Sequence, residues 1–204
     1  MKLLIISLPT QVPNEGELIN AMMAQSHFTL HLRKPMAEVQ DLQSLIEDIN
    51  PNYHSRLVLH DCFELAERYT LKGLHLNRRN PVLPKDFKGS ISRSCHSWLE
   101  VNQALDDCDY LFISPLFDSI SKPGYKQAFS TQDLQRAKDN GLINSKVIGL
   151  GGITPNKLPF VSHWGMGGVA VLGSIWGDYN KDKSKSGVLN RLHEWSIKIK
   201  QYEK

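Results

Sequence analysis

"KVIGLGGITPNKL", residues 146–158, decides how this chain is read. The apolar run Val147-Ile148-Gly149-Leu150 has the length of a buried strand, two glycines follow at once, and Thr154-Pro155 opens a segment with helical spacing. The stretch is one βα unit with a glycine turn at its centre. Glycine in a regular element costs about 0.5–1 kcal/mol relative to alanine. Gly149, Gly151 and Gly152 therefore imply that something comes close to the backbone here.

The same unit recurs along the chain. Short apolar runs lie at 3–7, 28–32, 56–60, 73–77, 89–94, 110–114, 147–151 and 168–173. Amphipathic segments lie at 14–25, 37–49, 62–69, 97–105, 131–139 and 155–162, and a last one at 186–201. Between the fourth and fifth runs "RRNPVLPKD" is short and proline-broken, so no full helix is expected there. Strands alternating with helices imply parallel pairing with both sheet faces covered. Eight such units with a closing helix predict an α/β fold, a single compact (β/α)8 TIM barrel over residues 1–204. An open doubly wound sheet is the competing arrangement. No linker, repeat or low-complexity stretch divides the chain.

The totals set limits on function. The chain has 204 residues, 41% hydrophobic and 22% charged, enough for a sizeable core. No apolar run approaches the roughly 20 residues of a membrane span. "KLLIISLP" is too short for a signal-peptide core and no small-residue cleavage site follows it, so a cytoplasmic protein is expected. Cys62, Cys95 and Cys108 are odd in number and lack paired spacing, which argues against a disulfide framework or a zinc knuckle. The net charge of +3 comes largely from the polar run 177–187 and from Lys198, Lys200 and Lys204. These read as solvated faces. With no basic face carrying interleaved aromatics, nucleic acid is not an expected partner, and neither is a membrane. Small anions fit, and homo-oligomerisation is left open.

Both candidate folds set their sites at the C-terminal strand ends. There the sequence offers His31, Arg33 and Lys34; His60 and Asp61; "NRRN" ending in Asn80; Ser94 and His96; Ser119, Ser121 and Lys122; and the turns "GGIT" and "LGSI". A Gly-Gly turn before a helix presents bare N–H groups, so phosphate is the natural guest at Gly151 and Gly152. "LGSI" repeats the device one strand later. Bland readings stand beside these. Asp61 followed by Glu64 is a capping-box pattern, and His31, His60 and His75 alternate with core residues as satisfied interior groups would. The tryptophans Trp164, Trp176 and Trp195 read as packing. The histidines show no metal-ligand spacing, so tightly held zinc is not expected.

In this order the strand ends resemble the thiamine phosphate synthase family and its relatives, the thiazole tautomerases. The family's Gln-x-Arg-x-Lys looks like His31-Leu-Arg33-Lys34-Pro35, its Asn-Asp pair looks like His60-Asp61, and its "GVHLGQ-x-D" strand looks like "GLHLNRRN" (73–80). "SRSCHS", "DYLFISPLFDSISK" (109–122) and "GLGGITPNK" continue the likeness. The resemblance implies a (β/α)8 barrel joining an aminopyrimidine methyl diphosphate to a thiazole phosphate, with Mg²⁺ as cofactor and small phosphorylated pyrimidine and thiazole substrates. It implies that Arg33, Lys122 and Ser94 act on the diphosphate, with His31, Lys34 and His60 alongside. Ser119, Ile120, Ser121, Gly151, Gly152, Leu172 and Gly173 would surround the thiazole phosphate, and Asp61 and Asn80 fall at the metal positions.

The chain departs from that pattern at four places. Asn80 stands for a carboxylate, Pro35 for a lysine, His60 for an asparagine and Gly173 for a serine. A tautomerase is the alternative implied by the resemblance, although Pro115 stands where its catalytic histidine falls. A non-catalytic phosphate-binding barrel is the third reading.

Overall fold

All eight apolar runs become strands in the computed structural model, which describes residues 1–118, 124 and 126–202. They are β1 (Lys2–Ile6), β2 (Thr29–Leu32), β3 (Leu57–Leu59), β4 (Gly73–Leu76), β5 (Ser90–Cys95), β6 (Tyr110–Ile113), β7 (Val147–Leu150) and β8 (Gly168–Val171). Each pairs in parallel with the next, and β8 returns to β1 through Leu3↔Val169 and Leu4↔Ala170, closing the barrel. The open-sheet alternative is excluded.

Period-two alternation sorts the strand residues. Leu3 and Ile5 point out to the helices, whereas Leu4, Ile6, Tyr110, Phe112, Ile148 and Ala170 pack inside the barrel. The outer layer comprises α1 (Glu15–Gln25), α2 (Val39–Asp48), α3 (Leu65–Arg68), α4 (Trp98–Ala104), α5 (Thr131–Asp139) and α6 (Leu158–Trp164). It continues with α7 (Gly173–Trp176), α8 (Tyr179–Asp182) and α9 (Lys185–Lys200). As expected, no helix joins β4 to β5. Helix α3 is half its expected length because Cys62 and Thr70, on either side, take left-handed backbone that cannot continue a helix. The short α7 and α8 occupy a region read from sequence as turn and solvated loop. Trp176 and Tyr179, both buried, pin them to the core.

Helix α9 buries Val188, Leu192, Trp195 and Ile199 and packs on α1. Its Arg191 donates to the carbonyls of Ile175 (2.7 Å) and Trp176 (2.8 Å), while Trp176 Nε1 donates to Ile6 O at 2.8 Å. The short α7, at the C-terminal mouth, is thereby held through its last two residues from two directions. Among the described residues no helix is long and apolar enough to cross a membrane.

Candidate active site

A cavity of about 290 Å³ opens at the C-terminal ends of the strands. Its floor is apolar, with Ile6, Phe112, Leu150 and Ala170, and its walls carry Arg33, His60, Ser94, Gly151, Gly152 and Gly173 from the expected residues. The side from β2 to β4 is cationic. The side from β7 to β8 is uncharged, with Gly151, Gly152 and Gly173 exposing backbone between Ile153, Leu172 and Ser174.

Beneath the floor lies a polar network built by inward-facing strand positions. His31 Nδ1 is 2.9 Å from His60 Nε2, and Tyr110 Oη is 2.9 Å from His31 Nε2. His75 stacks on His60 with ring centroids 4.1 Å apart and is hydrogen-bonded through both nitrogens, to Ser92 Oγ and Ser94 Oγ, each at 2.8 Å. Burial, aided by the neighbouring imidazoles, holds His31 and His60 well below the ordinary histidine range, and burial alone takes His75 down to about 3. All three are neutral at physiological pH.

Their spacing along the chain does not reveal that these histidines converge, yet their ligand atoms lie within 4.8 Å of one another. Five of the six ring nitrogens are already hydrogen-bonded, so the cluster is a satisfied interior network rather than a vacant metal cage.

The cationic wall is Arg33 with Arg78 and Arg79. Among the described residues the Arg33 guanidinium has no hydrogen-bond partner; burial and the Arg79 charge push its pKa down, against the opposing pull of Asp61. Both arginines lie in the "NRRN" after β4, where the sequence singled out only Asn80. Asn77 sets their placement. Its Oδ1 accepts from the N–H groups of Arg79 (3.0 Å) and Asn80 (3.3 Å), and its Nδ2 donates to His60 O at 2.9 Å. This Asx turn folds the segment back over the end of β3. Arg79 then donates to Asp61 Oδ1 at 2.8 Å, Asn80 Nδ2 donates to the same oxygen at 3.1 Å, and Lys34 N donates to Asp61 Oδ2 at 3.1 Å. Asp61 does not cap α3, whose N-cap is Glu64. Neither Asp61 nor Asn80 lines the cavity.

The glycine wall corrects one inference. Gly151 (φ 100°) and Gly152 (φ 63°) both need left-handed backbone. A Cβ at Gly151 would lie 2.8 Å from Pro115 Cα, and one at Gly152 would lie 2.1 Å from Asp118 O. What approaches these glycines is therefore the segment after β6, whose Leu116 and Phe117 N–H groups donate to the carbonyls of Leu150 (2.9 Å) and Gly151 (3.2 Å). The neighbour that excludes side chains is protein. At the start of α7, Gly173 and Ser174 carry first-turn N–H groups with no intrahelical partner. Ser174 Oγ is buried in the cavity wall without a partner among the described residues. It stands next to Gly173, where the resemblance had a serine.

Other expected residues fall elsewhere. Lys34 turns away from the cavity and is buried against Glu15 at 2.7 Å, also donating to Leu8 O (2.8 Å) and Thr10 O (3.1 Å). It cannot stand in for the lysine that Pro35 replaces. His31 lies below the floor, behind His60. Leu172 lines the cavity, as does His96, whose Nδ1 is 3.2 Å from Ser114 O. Ser119, Ile120, Ser121 and Lys122 lie outside the described residues.

Comparison with known proteins matches this architecture. The family described as "Thiamine monophosphate synthase" matches residues 4–175. Thiamine-phosphate synthase of Pediococcus pentosaceus is 28% identical over 143 residues, 67% of this chain and 65% of that protein. That of Parasynechococcus marenigrum is 30% identical over 165 residues, 77% of this chain but 45% of the relative. The matches thus span less than two thirds of these relatives' lengths. The crystal structure of thiamine phosphate pyrophosphorylase from Bacteroides thetaiotaomicron superposes with a TM-score of 0.88 at 33% identity, covering 100% of both chains. A barrel that closes in this order and matches the family over most of its length leaves one assignment: the chain belongs to the thiamine monophosphate synthase family.

Proposed function

We propose that this protein is a thiamine phosphate synthase, a transferase joining an aminopyrimidine methyl diphosphate to a thiazole phosphate with release of pyrophosphate. The observation that carries the reading is one cavity with two unlike anion-attracting walls, three arginines on one side and bare amides with Ser174 on the other, across an apolar floor. A diphosphate and a monophosphate need two such walls, and two heteroaromatic rings need the floor between them.

In this reaction the bond from the pyrimidine methylene to the diphosphate oxygen breaks, and its electron pair leaves with pyrophosphate. The thiazole nitrogen supplies the pair for the new carbon–nitrogen bond, and no proton need move. The protein's task is to stabilise charge growing on the leaving group, which fixed guanidinium donors do in a water-poor cleft. Arg33, Ser94 and Lys122 would hold the diphosphate; Gly152, Leu172, Gly173 and Ser119–Ser121 would surround the thiazole phosphate. The roles of Lys122 and Ser119–Ser121 rest on the sequence alone. The cytoplasmic setting and the small phosphorylated substrates belong to the same proposal.

The resemblance also assigns magnesium to Asp61 and Asn80, and the residues here do not fit it. Both Asp61 oxygens already accept N–H donors, Asn80 turns its amide nitrogen toward Asp61, and among the described residues no carboxylate lines the cavity. Mg²⁺ binds through hard oxygen ligands, and this arrangement offers nitrogen donors instead. The tautomerase alternative gains no support, because burial keeps His31 and His60 weak as bases and Pro115 has no basic group.

The test is incubation of the purified protein with both substrates, following thiamine phosphate and pyrophosphate together. Equal amounts of the two products are expected. Absence of both at saturating substrate, with or without magnesium, would reject the reading.

A further inference from the structure

We infer that Arg79, held by Asp61, takes the place of a divalent cation in this chain, so that the diphosphate site works without a metal. The inference rests on the proposed reaction only in taking diphosphate as the ligand.

Three observations converge. Arg33, Arg78 and Arg79 all line the cavity, and Asp61, the carboxylate that pairs with Arg79, does not line it. Arg79 is anchored but not consumed: one NH2 contact of 2.8 Å goes to Asp61, and the side chain remains 41% exposed. A guanidinium carries five N–H donors in a planar fork, so the rest can meet phosphate oxygens. Arg33, half-buried and without a hydrogen-bond partner among the described residues, faces the same space.

Asn80 explains why the exchange is stable. Its Nδ2 donates both to Asp61 Oδ1 (3.1 Å) and to His60 O (2.9 Å). A carboxylate at this position would lose both donations and set a second negative charge against Asp61. That pair of charges would call for a cation between them. The neutral amide lets a single carboxylate be balanced by a single guanidinium, and Asn77 fixes the turn that delivers it. Asp61 is thus a positioning residue and Arg79 a ligand. Guanidinium forks bind phosphate oxygens bidentately with charge-assisted hydrogen bonds, supplying the positive charge that a leaving diphosphate requires.

The experiment is calorimetric titration of the full chain with pyrophosphate, in chelator and in magnesium. Saturable binding in chelator is expected, with little gain on adding magnesium. Arg79→Ala should weaken it by about tenfold to a hundredfold, the range for lost hydrogen bonds to a charged group. Arg79→Lys, which keeps the charge but not the fork, should fall between the two. In Arg79→Ala/Asn80→Asp, pyrophosphate binding should become magnesium-dependent. Binding by the parent only when magnesium is present, or an Arg79→Ala variant with parental affinity, would overturn the inference. The two proposals fail separately. Metal-free pyrophosphate binding through Arg79 without product would sink the synthase reading alone, and product formed only with magnesium would sink this one alone.

Discussion

Lys34 Nζ lies 2.7 Å from both carboxylate oxygens of Glu15, in a pair that solvent hardly reaches. Burial works against both charges, raising the Glu15 pKa and lowering that of Lys34, and each partially restores the other. The carbonyls of Leu8 and Thr10 and the N–H of Val12 complete the pair, tying the β1–α1 segment to the end of β2. Removing one partner strands a buried charge, at a cost of about 3–5 kcal/mol. Lys34→Met should therefore lose about that much stability in urea unfolding while keeping its pyrophosphate affinity. Adding Glu15→Leu should recover most of the loss. A variant of parental stability with weakened pyrophosphate binding would return Lys34 to the ligand set.

Gly152→Ala should destabilise the protein by about 1–3 kcal/mol from its left-handed backbone alone. The loss should be larger in practice, because the new methyl would meet Asp118 O. Urea unfolding checks the stability, and a phosphate titration should show affinity falling as the two loops part. A Gly152→Ala protein as stable as its parent would refute the packing explanation.

Stability should fall steeply in acid. His31 and His60 titrate well below 6.5 and His75 at about 3 in the folded protein, whereas in the unfolded chain all three titrate near 6.5. Below that pH the unfolded state binds more protons, so stability is full above about pH 6.5 and is lost as pH falls toward the folded values. The three together contribute up to about 4 kcal/mol per pH unit. Unfolding curves between pH 7 and 5 measure the slope. His75→Gln should flatten it by roughly one proton's share; an unchanged slope would mean that His75 is not buried neutral.

Arg33→Ala should weaken pyrophosphate binding by about tenfold or more, since hydrogen bonds to a charged group are at stake. It should cost little stability, because among the described residues the guanidinium has no hydrogen bond to lose and only the opposing pull of Asp61 and Arg79 on its charge. Calorimetry with parallel unfolding curves separates the two effects. Unchanged affinity would remove Arg33 from the cationic wall's function.

The barrel was legible because its strands are buried on both faces, so runs such as Leu57–Leu59 and Val147–Leu150 stand out as continuous apolar stretches. Local signals served less well where tertiary contacts decide. The pattern around Asp61 and Glu64 promised a capping box, but Arg79, eighteen residues on, claims the carboxylate. Period-two reading set His31, His60 and His75 inward without revealing that three different strands bring them together, since spacing carries no information across strands. The glycines of the β7 turn were read as a close approach by phosphate, whereas the neighbour that excludes a side chain there is the segment after β6, which local sequence does not bring into view. Ser174 sits one step past the expected position, and only its burial without a partner among the described residues marks its hydroxyl out.

The Tyr110–His31–His60 chain runs through the barrel interior and reaches the cavity at His60. A neutral imidazole has one N–H and one bare nitrogen, so the chain has only two polarities. If Tyr110 donates to His31 Nε2, then His31 Nδ1 donates to His60 Nε2, and His60 Nδ1 presents an N–H. If the sequence reverses, His60 Nδ1 is bare and accepts. A ligand that takes one hydrogen bond from His60, or gives it one, thereby selects the tautomers of both histidines and the orientation of the Tyr110 hydroxyl. The occupancy of the cavity is written, without movement of any heavy atom, into proton positions on a side chain it never touches.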